Sequence, residues 1–163
     1  MTFVQRTGID IIDLYDRHVD TVWRVCYSYM KNTADTEDMV QETFIRLIKS
    51  GNDFESREHE KAWLIVTASN LCKNELKRPG RAADDIDDHP EINDKTAPDR
   101  GEVLDAVLAL PEKYRIAVYL FYYEGYKTGE IAKMLHIPEA TVKTRLRRAR
   151  GTLKTMIGGV SDE

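Results

Sequence analysis

Apolar residues recur every three or four positions through the first half of the chain, and this period predicts three amphipathic helices. The first is expected over residues 10–30. The second begins near Thr33 or Asp35, either of which can cap it, and ends at Gly51. The third covers about residues 59–78. The inward positions are Tyr15, Val19, Val22, Cys26 and Tyr29 in the first helix, Val40, Phe44, Leu47 and Ile48 in the second, and Ala62, Ile65, Val66, Ser69, Cys72 and Leu76 in the third.

The helical period returns after residue 100. A short helix is expected over residues 103–110, and an apolar helix from Pro111 to about Gly125. Two more helices follow, the first capped by Thr128, with the turn between them at residues 136–138. Their inward positions are Ile131, Ala132, Leu135, Val142, Leu146, Ala149 and Leu153. The sequence therefore predicts an all-α fold whose last two helices form a helix-turn-helix.

The segment between the two helical halves differs from both in composition. Residues 79–100 contain three basic and seven acidic residues and begin with Pro79-Gly80, and residues 82–90 among them are nearly without apolar side chains. Such a stretch buries too little apolar surface to offset the entropy lost on ordering. We expect a flexible acidic linker at 79–100 between two small domains, residues 1–78 and 101–163.

Charge is distributed unevenly along the chain. The whole sequence has 24 Lys and Arg against 28 Asp and Glu, a net charge of −4. Residues 127–154 nevertheless contain eight basic and only two acidic residues. A concentrated basic segment in an acidic protein indicates a binding site for a polyanion, although a solvated helix face would have the same composition.

The basic segment coincides with the predicted helix-turn-helix. The N-terminal end of its second helix can enter a DNA major groove, where the short side chains of Thr141 and Thr144 permit close approach to base edges. Lys143 and Arg145 can pair with guanine. The later Arg147 and Arg148 suit phosphate contacts. Turn, periodicity and charge together predict DNA binding.

The third helix offers a second polar surface. Its later part contains amides and cations that suit exposed bases and phosphates, namely Asn70, Lys73, Asn74, Lys77 and Arg78. Phe54 and Trp63 lie at the preceding loop and could stack on unpaired bases, while either ring could equally be a core residue.

No catalytic or metal-binding pattern emerges. The four histidines are scattered, and the two cysteines, Cys26 and Cys72, match no zinc spacing. The acidic residues around Asp35 and Asp38 could be metal ligands, but a solvated helix face explains them as well. With no signal peptide and no apolar run of membrane-spanning length, the sequence predicts a cytoplasmic protein without metal or cofactor.

Three motifs together resemble the extracytoplasmic-function (ECF) sigma factors of bacteria. Residues 35–44 (DTEDMVQETF) resemble the family's helix that grips the polymerase clamp, and residues 62–78 (AWLIVTASNLCKNELKR) its helix for the melted −10 element. LPEKYR at 110–115, EIA at 130–132 and TVKTRLRRAR at 141–150 resemble its −35 domain. The resemblance covers nearly the whole chain.

The resemblance implies a role for each surface. It places core RNA polymerase against Asp35, Asp38, Met39, Gln41, Glu42 and Ile45. It places the −10 element against Phe54, Trp63, Asn70, Lys73, Asn74, Lys77 and Arg78. It places the −35 element against Lys127, Thr128, Thr141, Lys143, Thr144, Arg145, Arg147 and Arg148. It also implies promoter DNA as a partner, an anti-sigma factor that can be membrane-anchored, and neither catalysis nor a small-molecule substrate.

Two departures and two alternatives accompany this interpretation. The loop at 52–59 is more acidic than the common family version, and Lys73 occupies a position that is usually acidic. A stand-alone repressor or activator would share the helix-turn-helix but would not need the elaborate first half. An enzyme acting on nucleic acid would need a constellation of carboxylates or histidines, which the sequence does not show.

Overall fold

The computed structural model describes residues 8–80 and 106–158, and in them every regular element is helical. The all-α prediction is therefore confirmed. The chain divides into two compact units, Met1–Asp88 and His89–Glu163. Of the predicted linker, only Pro79 and Gly80 belong to the described residues, so the domain bounds and the linker's flexibility stay predictions.

The described part of the first unit, residues 8–80, contains three helices: α1 (Gly8–Met30), α2 (Thr33–Ser50) and α3 (Arg57–Leu76). Each packs against the other two. Their shared core is formed by buried apolar side chains, the largest contributions coming from Val22, Val25, Leu47, Leu64 and Ile65. Cys26 and Cys72 are both fully buried and neither forms a disulfide, which confirms their assignment as small core residues.

The N-terminus of α2 is capped differently from the prediction. Asn32, not Thr33 or Asp35, is the N-cap, and its side-chain oxygen accepts a hydrogen bond of 2.8 Å from the backbone N–H of Asp35. Its amide nitrogen also donates to the Asp35 carboxylate over 2.9 Å. The prediction was wrong because Asn, Thr and Asp are all good caps and only the backbone path selects among them. Gly51 ends α2 with φ of 69°, as expected.

The buried face of α3 is rotated from the predicted stripe. Ala62, Val66 and Leu76 are only half-buried, whereas Leu64 and Ala68 are fully buried. Tyr15 of α1 was also expected inside, but it is 43% exposed and its ring lies 4.8 Å from that of Phe44. Apolar periodicity alone cannot separate a core position from a half-exposed flank.

A buried carboxylate joins α1 to the first turn of α3. Glu60 Oε1 lies 2.7 Å from His18 Nε2 and 3.0 Å from Arg17 Nη2. Both His18 and Glu60 are buried, and this contact crosses 42 positions of sequence. It fixes the start of α3, and hence the loop before it, against α1.

The second unit has the expected order of helices. A helix at residues 106–108 precedes α4 (Glu112–Val118), which continues as a π-helical turn over Tyr119–Tyr123. Then come α5 (Thr128–Leu135) and α6 (Glu139–Gly158). Their core contains Ile116, Leu120, Ile131, Leu135, Val142, Leu146 and Ala149, all buried. Residues 103–105 of the first predicted helix lie outside the described residues.

Local hydrogen bonds fix the ends of these helices. Lys127, not Thr128, is the N-cap residue of α5, and its backbone N–H donates to Glu130 Oε1 over 2.8 Å. His136 occupies the left-handed region with φ of 61° and ends α5, so the predicted turn at 136–138 is confirmed. Arg115 is buried and donates from Nη1 to the carbonyl of Leu110, which ties α4 to the preceding helix end.

Candidate functional site

One face of α2 turns away from the core. Asp38, Gln41 and Ile45 are exposed, and Met39 and Glu42 are half-buried. Opposite them, Thr36, Val40, Thr43, Phe44 and Leu47 are buried. The residues that the sequence grouped for polymerase binding are thus brought together on one solvent-facing surface.

Asp35 has a different environment from the rest of that group. Its backbone N–H donates a hydrogen bond to the Asn32 side chain, and its carboxylate accepts one from the same side chain, at the start of α2. It is half-buried there. Its side chain therefore helps to hold the N-cap at the start of α2, in addition to any contact it makes with a partner.

The α2 face borders an open groove of about 770 Å³ that it shares with the end of α3 and the three residues that follow it. We call it the α2–α3 groove. It is lined by Asp38, Met39, Gln41, Glu42, Ile45, Arg46, Leu71, Asn74, Glu75, Lys77, Arg78 and Pro79. Apolar side chains from Met39, Ile45 and Leu71 are flanked by charges of both signs, which suits an amphipathic helix from a partner.

The polar residues of α3 divide between two surfaces. Helical spacing puts Trp63, Asn70, Asn74 and Lys77 along one outward row. Arg78 instead bends back along the groove, where its Nη2 lies 2.7 Å from the Glu75 carboxylate. Asn74 and Lys77 therefore belong both to the outward row and to the α2–α3 groove, whereas Arg78 belongs to the groove.

An aromatic cluster stands at the start of the outward row. The Phe54 ring lies 5.9 Å from that of Trp63 and 5.3 Å, edge-on, from the ring of His59. Phe54 and Trp63 are both half-buried, so neither is a core residue. Partly exposed rings beside a row of amides and cations form a surface on which an unpaired base can stack.

The start of α5 is fastened to the start of α6. Thr128 Oγ1 donates to Glu139 Oε2 over 2.6 Å, and Lys143 Nζ lies 3.8 Å from the same oxygen. This contact holds Lys127 and Thr128 beside the N-terminal end of α6. These two residues of the expected −35 group are therefore adjacent to the expected reading end of the helix-turn-helix.

The outward side chains of α6 form two rows. Thr141, Arg145 and Arg148 share one flank, on which Thr141 and Arg145 are half-buried. Lys143 and Arg147 are exposed on the other flank, with the half-buried Thr144 between the rows. The arginines that the sequence treated as one group thus face two directions.

Sequence reasoning placed Arg150 in the basic motif at 141–150 but left two exposed tyrosines of this surface out. Tyr122 and Tyr123 are 53% and 62% exposed, although they lie in a stretch predicted as apolar helix. Arg150 Nη1 donates to the Tyr122 hydroxyl over 3.1 Å. The outward turn of the tyrosines depends on the π-helical turn, which periodicity does not predict.

Two negative findings apply to residues 8–80 and 106–158. No group of three or more His, Cys, Asp or Glu is arranged there to hold a metal ion. None of these helices combines the length and hydropathy needed to cross a lipid bilayer.

Family comparisons match both units. Residues 14–82 match the family described as Sigma-70 region 2, and residues 100–153 match Sigma-70 region 4. The chain is 29% identical to the ECF RNA polymerase sigma factor SigW of Bacillus subtilis, over 91% of this chain and 87% of SigW. It is 32% identical to SigL of Mycobacterium tuberculosis, an ECF RNA polymerase sigma factor, over 86% of this chain and 85% of SigL.

Two solved structures share the fold. The sigma factor RpoE of Bartonella quintana, in complex with the anti-sigma factor NepR, superposes with a TM-score of 0.68 at 19% identity, covering 94% of this chain and 99% of RpoE. CnrH, in complex with the cytosolic domain of CnrY, gives 0.65 at 23% identity, covering 98% and 94%. With both sigma regions present and 32% identity to SigL over most of both chains, the chain belongs to the ECF family of RNA polymerase sigma factors, the subunits that direct transcription initiation to specific promoters.

Proposed function

We propose that this sigma factor binds core RNA polymerase through the α2–α3 groove and reads a two-part promoter with α3 and α6. The observation that carries the proposal is the convergence of α2 and the end of α3 on one groove. Asn74 and Lys77 belong both to that groove and to the outward row of α3. A polymerase docked in the groove would therefore hold the promoter DNA directly against the row.

The outward row of α3 suits the melted −10 strand. Asn70 is half-buried on this row, between the Phe54–Trp63 cluster and Lys77. An amide can donate to and accept from the edge of one unpaired base, while the aromatic rings provide a stacking surface. Lys73 and Lys77 supply the positive charge that a phosphate backbone requires.

The exposed end of α6 suits the −35 duplex. Thr144 and Lys143 are accessible near its N-terminus, and the Thr128–Glu139 bond keeps α5 beside them. A helix presented in this way can enter a major groove while the start of α5 rests on the flanking phosphates. Arg147 and Arg148 extend the positive surface on either side.

Reconstitution tests the proposal. The purified chain and core polymerase are used to select promoters from a random duplex library, and the selected DNA is then transcribed. We expect start sites preceded by two sequence blocks, and no selection by core polymerase alone. Tight selection of duplex DNA by the chain without polymerase, and no transcripts with it, would overturn the proposal in favour of a stand-alone repressor.

We further propose an anti-sigma factor as the regulator of this chain. RpoE and CnrH, which share its fold, were each solved with a bound partner, NepR and CnrY respectively. The α2–α3 groove, with apolar side chains between charges, is the surface that such a partner would occupy in competition with polymerase. The chain would then act in the cytoplasm as a binding subunit with no catalysis of its own.

A further inference from the structure

The exposed cations on one flank of α6 continue beyond the expected reading end. Lys143, Arg147, Arg150 and Lys154 follow each other at steps of four, three and four, and all four are exposed. We call them the cationic stripe. At 1.5 Å per residue the stripe extends over about 16 Å, a length that passes several phosphates of one DNA strand.

The neighbouring π-helical turn adds an exposed phenol to this stripe. Tyr122 is 53% exposed, and its hydroxyl oxygen accepts a hydrogen bond of 3.1 Å from Arg150 Nη1. The bond uses a lone pair of the phenol oxygen, so the phenol O–H can still donate to another group. The acidic residue that ends this segment, Glu124, accepts from Tyr119.

The π-helical turn explains why Tyr122 reaches α6. The backbone N–H of Glu124 bonds to the carbonyl of Tyr119, five residues back, instead of four. The additional residue in the turn shifts the following side chains around the helix axis. Leu120 stays in the core while Tyr122 and Tyr123 face solvent.

We propose that the Tyr122–Arg150 pair is a phosphate clamp, which grips the DNA backbone beside the −35 element. This inference rests on the proposed −35 function of α6 and extends it to the π-helical turn that follows α4. A phenol O–H and a guanidinium held together present adjacent donors and a full positive charge to one phosphate oxygen. The contact reads no base, and it stabilises binding at any sequence.

The test compares two tyrosines that differ in this contact. Tyr122→Phe removes only the hydroxyl, and Tyr123→Phe is the matched control because Tyr123 is 62% exposed on the same turn. Each full-length variant is assembled with core polymerase, and its affinity for the duplex selected by the wild type is measured. We expect Tyr122→Phe to bind about three- to tenfold more weakly and Tyr123→Phe to match the wild type.

Salt dependence provides a second readout, which a folding defect would not produce. Arg150→Gln should make the slope of log K against log salt less negative by about 0.9, whereas Tyr122→Phe should leave the slope unchanged. In a protein that already carries Arg150→Gln, adding Tyr122→Phe should reduce the affinity for the duplex by a smaller factor than Tyr122→Phe does alone.

The possible failures are distinct. If Tyr122→Phe binds like the wild type, or both tyrosine variants weaken equally, the clamp is wrong while the −35 assignment stands. If the wild-type holoenzyme selects no upstream sequence block, the proposed function of α6 fails, and the clamp fails with it. Thermal unfolding of each variant checks that the fold is retained.

Discussion

At the scale of single residues, two buried hydroxyls stand out in the first unit. Thr36 Oγ1 on α2 and Ser69 Oγ on α3 are fully buried, and neither has a hydrogen-bond partner among the described residues. A buried hydroxyl without a partner loses its water contacts and gains nothing in return. Both positions therefore lower the stability of the three-helix core.

Replacing Ser69 with alanine should raise stability. Ser69→Ala removes the unpartnered hydroxyl and improves helix propensity, so we expect a gain of about 1 kcal/mol in the free energy of unfolding, measured by urea denaturation. The matched control is Ser28→Ala in α1, where the Ser28 hydroxyl donates to the carbonyl of Arg24 over 2.9 Å. A loss of stability for Ser69→Ala would show that Ser69 does have a partner.

At the scale of elements, the start of α2 can be tested at two adjacent residues. Asn32→Ala removes the side-chain acceptor for the Asp35 N–H and should destabilise the first unit by about 1 kcal/mol. Thr33→Ala changes an exposed residue inside the helix and should have little effect. Thermal unfolding of both variants decides between Asn32 and Thr33 as the cap, and a larger effect at Thr33 would contradict the structure.

The contact between α1 and α3 predicts a larger effect. Glu60→Ala would leave His18 and Arg17 without their carboxylate partner in a mostly buried place, and we expect a loss of about 2–4 kcal/mol in unfolding free energy. Glu58→Ala, in the same helical turn but exposed, is the control and should lie within about 0.5 kcal/mol of the wild type. Equal small losses would mean that the Glu60 contact contributes little.

At the scale of the whole molecule, substitutions should be able to remove polymerase binding by the first unit and −35 binding by the second independently of each other. Asp38→Arg combined with Gln41→Ala places a positive charge and a shortened side chain in the α2–α3 groove, and should abolish binding to core polymerase with an unchanged melting temperature. Lys143→Ala should leave core binding intact and weaken binding to the −35 duplex by about 1–3 kcal/mol if Lys143 reads a base. Pull-down with core polymerase and holoenzyme binding to duplex DNA measure the two effects. If the groove variant still assembles, the docking surface is wrong.

Many features of the helices depend on interactions within a few residues, so they can be predicted from the sequence. Gly51 ends α2 because it can adopt a left-handed conformation, and Val142, Leu146 and Ala149 face inward because a period of 3.6 residues puts them on one side of α6. The exposed face of α2 could be predicted because its residues lie within three turns of one helix. Prediction failed where a choice depended on a neighbouring element, as at the Asn32 cap and the half-exposed Val66.

The sequence by itself determined the helices, their order, the two-part organisation of the chain and the concentration of positive charge near its end, because these depend on neighbours within a few residues. Only the tertiary structure decided that Glu60 meets His18, that α2 and α3 share a groove, and that Tyr122 reaches Arg150. Each of these contacts joins residues tens of positions apart. Their geometry depends on how one helix packs against another, and packing is a property of the folded core.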